Sequence, residues 1–207
     1  MAAAIKNVVF DVGNVFVRWS PPTVIERCFR LRPDSDENLR KADALLRGPL
    51  WKSLNRGELT QPEIELAYQD EFGLTPQETQ SLFFHIIDHQ DLLDGTVALA
   101  RRIKHAGYRV FALTDNVHEI VAHLKSRHQF WDMFEGAVVS AEVGLLKPDP
   151  AIFRHLVDSY GLDPAETVFL DDVPANIDGA RSIGLEARVF TTASRCEDDL
   201  RNLGLIF

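Results

Sequence analysis

Three apolar runs of this chain end in residues that can do chemistry. Val8-Val9-Phe10 runs into Asp11, the stretch from Val110 to Leu113 into Thr114-Asp115-Asn116, and Val168-Phe169-Leu170 into Asp171-Asp172. Carboxylates gathered in one place repel each other unless a cation or a shared proton offsets the charge. Mg2+, a hard cation that prefers oxygen ligands, suits such a cluster. A compensating positive charge lies in "GLLKPDP", where Lys147 precedes a helix start at Asp149-Pro150. Acids, a hydroxyl donor in Thr114, a lysine and a divalent cation are the parts required for phosphoryl transfer through an aspartyl-phosphate. Singly, each acid reads as well as a loop carboxylate or a helix cap, and Lys147 as a solvated loop lysine. Their recurrence at the ends of several strand patterns is what points to a site.

For these groups to meet, the strands must be neighbours in one sheet. In an open parallel sheet the ligand lies in the crevice outside the carboxyl ends of the strands. From Asp94 onward the pattern alternates. "YRVFALTDN", "GAVVS", "TVFLDD" and "EARVF" read as strands. Helices are predicted through "GTVALARRIKHA" to a stop at Gly107, near 117–130, from Asp149-Pro150 to Gly161, from about Ala175 to Gly184, and after Ser194. Alternating strands and helices with near-continuous apolar strands imply an α/β fold with a parallel sheet covered on both faces. Residues 17–92 carry only helical periodicity. Thr60-Gln61-Pro62-Glu63 and Thr75-Pro76-Gln77-Glu78 within them have the capping-box spacing, with proline in the first turn. The simplest arrangement is an α/β core of residues 1–16 and 93–207, with a helical insert at 17–92 placed to cover the carboxyl edge of the sheet.

Composition narrows the partners. A formal net charge of −9, 45% hydrophobic and 26% charged residues describe an ordinary globular protein. No Lys/Arg block tracks a phosphate backbone, so nucleic acid and anionic membrane are poor partners. No run of 18 apolar residues occurs and the N-terminus lacks signal-peptide character, which leads to the expectation of a cytoplasmic protein. Cys28 and Cys196 read as two small, partly buried side chains in a reducing compartment.

"VVFDVGNV", "VFALTDN", "GLLKPDP" and "VFLDDVPANIDGA", in that order, resemble the four motifs of the haloacid dehalogenase (HAD) superfamily, and the helical insert resembles its C1 cap. The resemblance covers nearly the whole chain and implies a Rossmann-like core with an inserted helical cap, as in subfamily I. It implies that Asp11 is the nucleophile and a Mg2+ ligand, and that Gly13 lends its backbone carbonyl to the metal. Thr114, Lys147 and Asn116 would bind the phosphoryl group and substrate, with Lys147 offsetting the charge on Asp11. Asp171 and Asp172 would complete the metal shell, and Asn176 would support it from behind. The expected substrate is a small phosphorylated metabolite, a sugar phosphate among the candidates, handled by a monomer or homodimer.

Two departures stand out. HAD phosphatases usually read Asp-x-Asp in the first motif, where the second acid protonates the leaving alcohol and then activates water; here that position is Gly13. The substrate, a water or a cap side chain such as a histidine would have to substitute. The Asp-x-Gly-Asn-Val opening is similar to a branch that includes a bacterial α-D-glucose-1-phosphate phosphatase. Asp115 is the second departure, an extra anion that is costly beside a phosphate unless turned away or protonated.

Other signals are weaker. His85 and His89 lie four apart but without a third ligand, which favours exposed or capping roles over zinc. His118, His123 and His128 scatter around a helix. Trp51 with Arg56-Gly57-Glu58 reads as a packed aromatic before a tight turn, or as a cap loop entering the site; Arg18 and Trp19 lie at the hinge toward the cap. Two competing functions remain. A 2-haloacid dehalogenase also uses an Asp nucleophile without the second acid, but gains nothing from Asp171-Asp172. A low-activity domain that only binds a phosphorylated ligand would explain Gly13 and Asp115, but has no need of Asp11, Thr114, Lys147 and Asp171.

Overall fold

Asn7–Phe10 is buried at all four positions and forms β1, the middle strand of a five-stranded sheet, in a computed structural model that describes residues 4–207. The other strands are β2 (Arg109–Thr114), β3 (Gly136–Val139), β4 (Thr167–Asp171) and β5 (Glu186–Val189). Their order is β3-β2-β1-β4-β5 and every pairing is parallel. This is the Rossmann-like α/β fold expected. Because side chains alternate across a strand, one sheet face collects Val8, Phe10, Ala112 and Leu170, and the other Val9, Phe111, Leu113 and Phe169. Both faces are apolar, so both must be covered.

The helices do this. Residues of α6 (Thr96–His105), α7 (His118–Arg127) and α11 (Ala193–Asn202) pack on the first face; those of α9 (Pro150–Tyr160) and α10 (Pro174–Arg181) pack on the second. Phe153 of α9 meets Phe169 of β4 edge-on with ring centroids 5.3 Å apart, an aromatic pairing that adds to the area buried. α7 ends at Arg127, short of the predicted 130. A four-residue helix α8 (Ser140–Val143), not expected from the sequence, directly follows β3.

Between β1 and α6 stand five helices: α1 (Pro21–Phe29), α2 (Asp36–Leu46), α3 (Pro49–Asn55), α4 (Gln61–Phe72) and α5 (Pro76–Asp88). Their starts follow the capping rules. The Glu63 carboxylate accepts hydrogen bonds from the Thr60 N–H and hydroxyl, at 2.8 and 2.7 Å, and Glu78 does the same for Thr75 at 2.8 and 2.8 Å. The buried Tyr68 hydroxyl donates to the Leu45 carbonyl and ties α4 to the end of α2.

The chain enters and leaves this helical block side by side. Val17 bridges to Gly13 and to Leu92, the Arg18 N–H donates to the Asp91 carbonyl at 2.8 Å, and the Leu93 N–H donates to the Phe16 carbonyl at 2.8 Å. On its other side the block touches α8. Gly57 has φ +68°, and a Cβ there would overlap the Ala141 carbonyl oxygen. Gly73 has φ +65° with nothing within 4 Å. Gly73→Ala therefore isolates the backbone cost, about 1–2 kcal/mol. Gly57→Ala is expected to lose a further 1–3 kcal/mol or so from the overlap. Calorimetry should show this as an extra drop in Tm of roughly 2–4 °C per kcal/mol.

Candidate active site

The strand register brings the chemistry together. Phe10 is level with Leu170 on one side and with Ala112 on the other, so Asp11, one residue on, sits beside Asp171, with Thr114 at the end of the adjoining strand. The Asp11 N–H continues the ladder by donating to the Leu170 carbonyl at 2.9 Å. Asp11, Thr114, Asn116, Lys147, Asp171 and Asn176 are all buried.

Lys147 joins the acids. Its Nζ lies 2.9 Å from Asp11 Oδ1 and 2.6 Å from Asp171 Oδ2, and it donates to the Leu113 carbonyl at 3.3 Å. With the lysine side chain 1% exposed, this is a buried, fully paired ammonium. Burial would pull its pKa down, but Asp11, Asp171 and Asp115 more than reverse that, and it stands above the ordinary lysine value. Burial pushes the Asp11 carboxyl well above the usual carboxylate range; Lys147 opposes this and Asp171 adds to it.

Asp171 is held from behind. Its Oδ1 accepts from the Val173 N–H at 2.8 Å, and the Asn176 amide donates to both of its oxygens at 3.0 Å. Asp172 accepts from the Asn14 amide at 3.0 Å, and burial raises its pKa against that hydrogen bond. Asn14 is one residue the sequence reading passed over. It adopts φ 52°, a conformation Asn tolerates better than most residues, and its Oδ1 accepts the Trp19 N–H at 2.9 Å. One side chain thus links Asp172 to the segment that enters the helical block.

Asp115 also finds a partner: its Oδ1 accepts the Lys147 backbone N–H at 3.1 Å, and burial raises its pKa. It borders the cavity but is turned partly into the loop. Asn116 receives the Val117 N–H on its own side-chain oxygen at 3.0 Å and is fixed through Ser140, whose hydroxyl accepts the Asn116 N–H at 2.8 Å.

Asp11, Thr114, Asp115, Asn116, Lys147, Asp172 and Asn176 line a cavity of about 380 Å³, as does Gly13, with Asp171 buried behind them. Much of the rest of its wall comes from α3 and the segments that flank α1, α2 and α5, with Trp19 and Trp51 stacked at 5.7 Å and 10° between planes, and Arg47, Lys52, Asn55 and Gln90 beside them. Trp51 belongs to helix α3 rather than to a loop. Among the described residues no histidine lines the cavity, so of the three substitutes considered for the missing acid (substrate, water or a cap side chain such as a histidine) the histidine is not placed there. His89 is neither exposed nor bonded through its ring. It caps α5 by position, and its two ring nitrogens are buried without partners. Cys28 and Cys196 are free thiols.

A metal fits the acids. Asp11, Asp171 and Asp172 each offer a carboxylate oxygen within 4.8 Å of the others, an all-oxygen set of the kind Mg2+ favours. The model for the haloacid dehalogenase-like hydrolases matches residues 5–184. The chain is a HAD-like hydrolase. It is 24% identical to a sesquiterpene phosphatase of Aspergillus oryzae over 98% of each chain. It is 27% identical to a D-ribitol-5-phosphate phosphatase of Bacteroides thetaiotaomicron over 88% of this chain and 90% of that one. Among solved structures, this HAD-like hydrolase is similar to a HAD family enzyme of Bacteroides thetaiotaomicron in complex with magnesium and inorganic phosphate. The TM-score is 0.76 at 21% identity, over 91% of this chain and 96% of that one. Among the described residues no helix is long and apolar enough to cross a membrane.

Proposed function

We propose that the protein is a Mg2+-dependent phosphatase of a small phosphorylated metabolite, acting through an aspartyl-phosphate on Asp11. The observation that carries this reading is the buried Asp11–Lys147–Asp171 arrangement beneath a cavity, with a third carboxylate, Asp172, close enough to share a cation. In this reading Asp11, Asp171, Asp172 and the Gly13 carbonyl hold Mg2+, which when bound offsets charge on the acids and on the phosphoryl group. Thr114, Asn116 and Lys147 hold the phosphoryl oxygens. Lys147 offsets charge on Asp11 and opposes the effect of its burial, and Asn176 fixes Asp171. Residues 17–92 act as a cap over a core of 1–16 and 93–207, and the free thiols suit the cytoplasm.

A sugar phosphate is the candidate we favour. The flat Trp19–Trp51 wall and the amides of Asn55 and Gln90 are groups that receive a polyol, and one relative is named for ribitol 5-phosphate. A dehalogenase reading is weaker, because a site for a halide and a small carboxylic acid gains nothing from Asp171 and Asp172. The test is steady-state hydrolysis of p-nitrophenyl phosphate. Turnover should require Mg2+, stop on chelation with EDTA and return when Mg2+ is restored. Turnover equal with and without the ion would overturn the metal, and none at all would overturn the phosphatase.

A further inference from the structure

Asn14 occupies a backbone position that suits glycine. Its φ of 52° lies in the left-handed region, where glycine is unstrained and most other residues are not. Its own N–H donates to the Val17 carbonyl at 2.7 Å, so the turn closes through the main chain and does not need the amide. An asparagine kept at such a position points to a use for its side chain. That side chain has two partners. Its Nδ2 donates to Asp172 Oδ2 at 3.0 Å, and its Oδ1 accepts the Trp19 N–H at 2.9 Å.

Asp172 differs from the other acids of the carboxylate set. Asp11 is paired with Lys147 at 2.9 Å and accepts the Val12 N–H at 2.7 Å. Asp171 is paired with Lys147 and held by Val173 and Asn176. Asp172 is half-buried, and among the described residues Asn14 is its single side-chain hydrogen-bond partner. Without that partner the carboxylate would be free to turn, and binding a cation would carry the entropic cost of ordering it. The other end of the amide reaches Trp19, whose indole stacks on Trp51 of α3 in the cavity wall. One planar group thus spans a candidate metal ligand and the wall that faces the substrate. Resting on the Mg2+-dependent phosphatase reading above, we propose that Asn14 is a positioning residue that presets Asp172 for the cation and holds the Trp19 wall in register with it. No bond is made or broken on Asn14; it aims the groups on either side.

The test is calorimetric titration of Mg2+ into the wild type and into Asn14→Gly, which keeps the left-handed backbone and deletes the amide. Mg2+ should bind the variant about 10–100-fold more weakly, the scale on which loss of a partner behind a metal ligand is felt. Melting without Mg2+ should change little, because glycine suits the backbone. A merely structural asparagine predicts the reverse, a lower Tm with Mg2+ affinity intact. With p-nitrophenyl phosphate at saturating Mg2+, kcat should recover toward the wild-type value while KM stays raised, since excess cation orders Asp172 again but not Trp19. Recovery of both would overturn the part assigned to Trp19. Asn14→Ser, whose hydroxyl is too short to span both partners, should lose Mg2+ in the same way and decides alone if the glycine variant does not fold. Equal Mg2+ affinity in wild type and variant would overturn the proposal and leave the metal reading intact. A wild type that binds no Mg2+ would overturn both.

Discussion

Asp11→Asn is expected to lower kcat on p-nitrophenyl phosphate by about four orders of magnitude or more, the scale on which removal of a nucleophile is felt. The amide keeps the shape of the carboxylate but cannot form the acyl-phosphate bond. The fold should survive. Asp11 is buried beside Asp171, and burial already opposes its charge, so a neutral isostere removes a desolvation cost along with the ion pair to Lys147. Lys147 retains Asp171 at 2.6 Å. Thermal melting without Mg2+ should therefore match the wild type or exceed it, while the same melt with Mg2+ should show a smaller gain. Residual activity above about one part in a hundred would exclude Asp11 as the nucleophile, since no amide could support it.

Lys147→Met should damage both stability and turnover. The substitution keeps an unbranched apolar stem in a site that is 1% exposed, but removes the one cation that bridges two buried acids. Breaking a buried pair from one side costs about 3–5 kcal/mol, because the remaining charges lose their partner. For a chain of this length that is a fall in Tm of roughly 10 °C. Two further results separate a role in the site from one in the fold alone. Added Mg2+ should recover more Tm in the variant than in the wild type, because a divalent cation offsets the same orphaned carboxylates. Even when so recovered, kcat should stay down by about 10²–10³, the loss typical of removing one preorganised charge-stabilising donor. Wild-type kcat in the Mg2+-rescued variant would reduce Lys147 to a structural counter-ion.

The sheet and its edge were legible because a strand buried on both faces leaves an uninterrupted apolar run. The polar residue that ends the run then marks where the strand leaves the core. Asp11, Thr114 and Asp171 could be placed that way, and the helix stops at Gly107, Gly161 and Gly184 were legible as glycines, all with positive φ. The wall opposite was not. Arg47, Lys52, Asn55 and Gln90 sit in helices and linkers whose facing is decided by how α1 to α5 pack, and no period in the sequence distinguishes a residue that lines a cavity from one that meets solvent. Asn14 left a faint signal, an asparagine following a glycine just past a strand, and its partners Asp172 and Trp19 are known only once the chain is folded. α8 is too short to show a helical period at all.

The contact between Trp19 and Trp51 gives the molecule an optical property. Trp19 stands on the segment leaving β1 and is tied through Asn14 to Asp172, whereas Trp51 rides on α3. Any movement of α3 relative to that segment separates two indole rings that now lie nearly parallel at 5.7 Å. The remaining tryptophan, Trp131, packs elsewhere against Phe130, Phe134 and the Lys125 ammonium. Intrinsic fluorescence therefore carries one pair sensitive to the seating of the helices over the acids and one emitter that serves as its background, with no label attached.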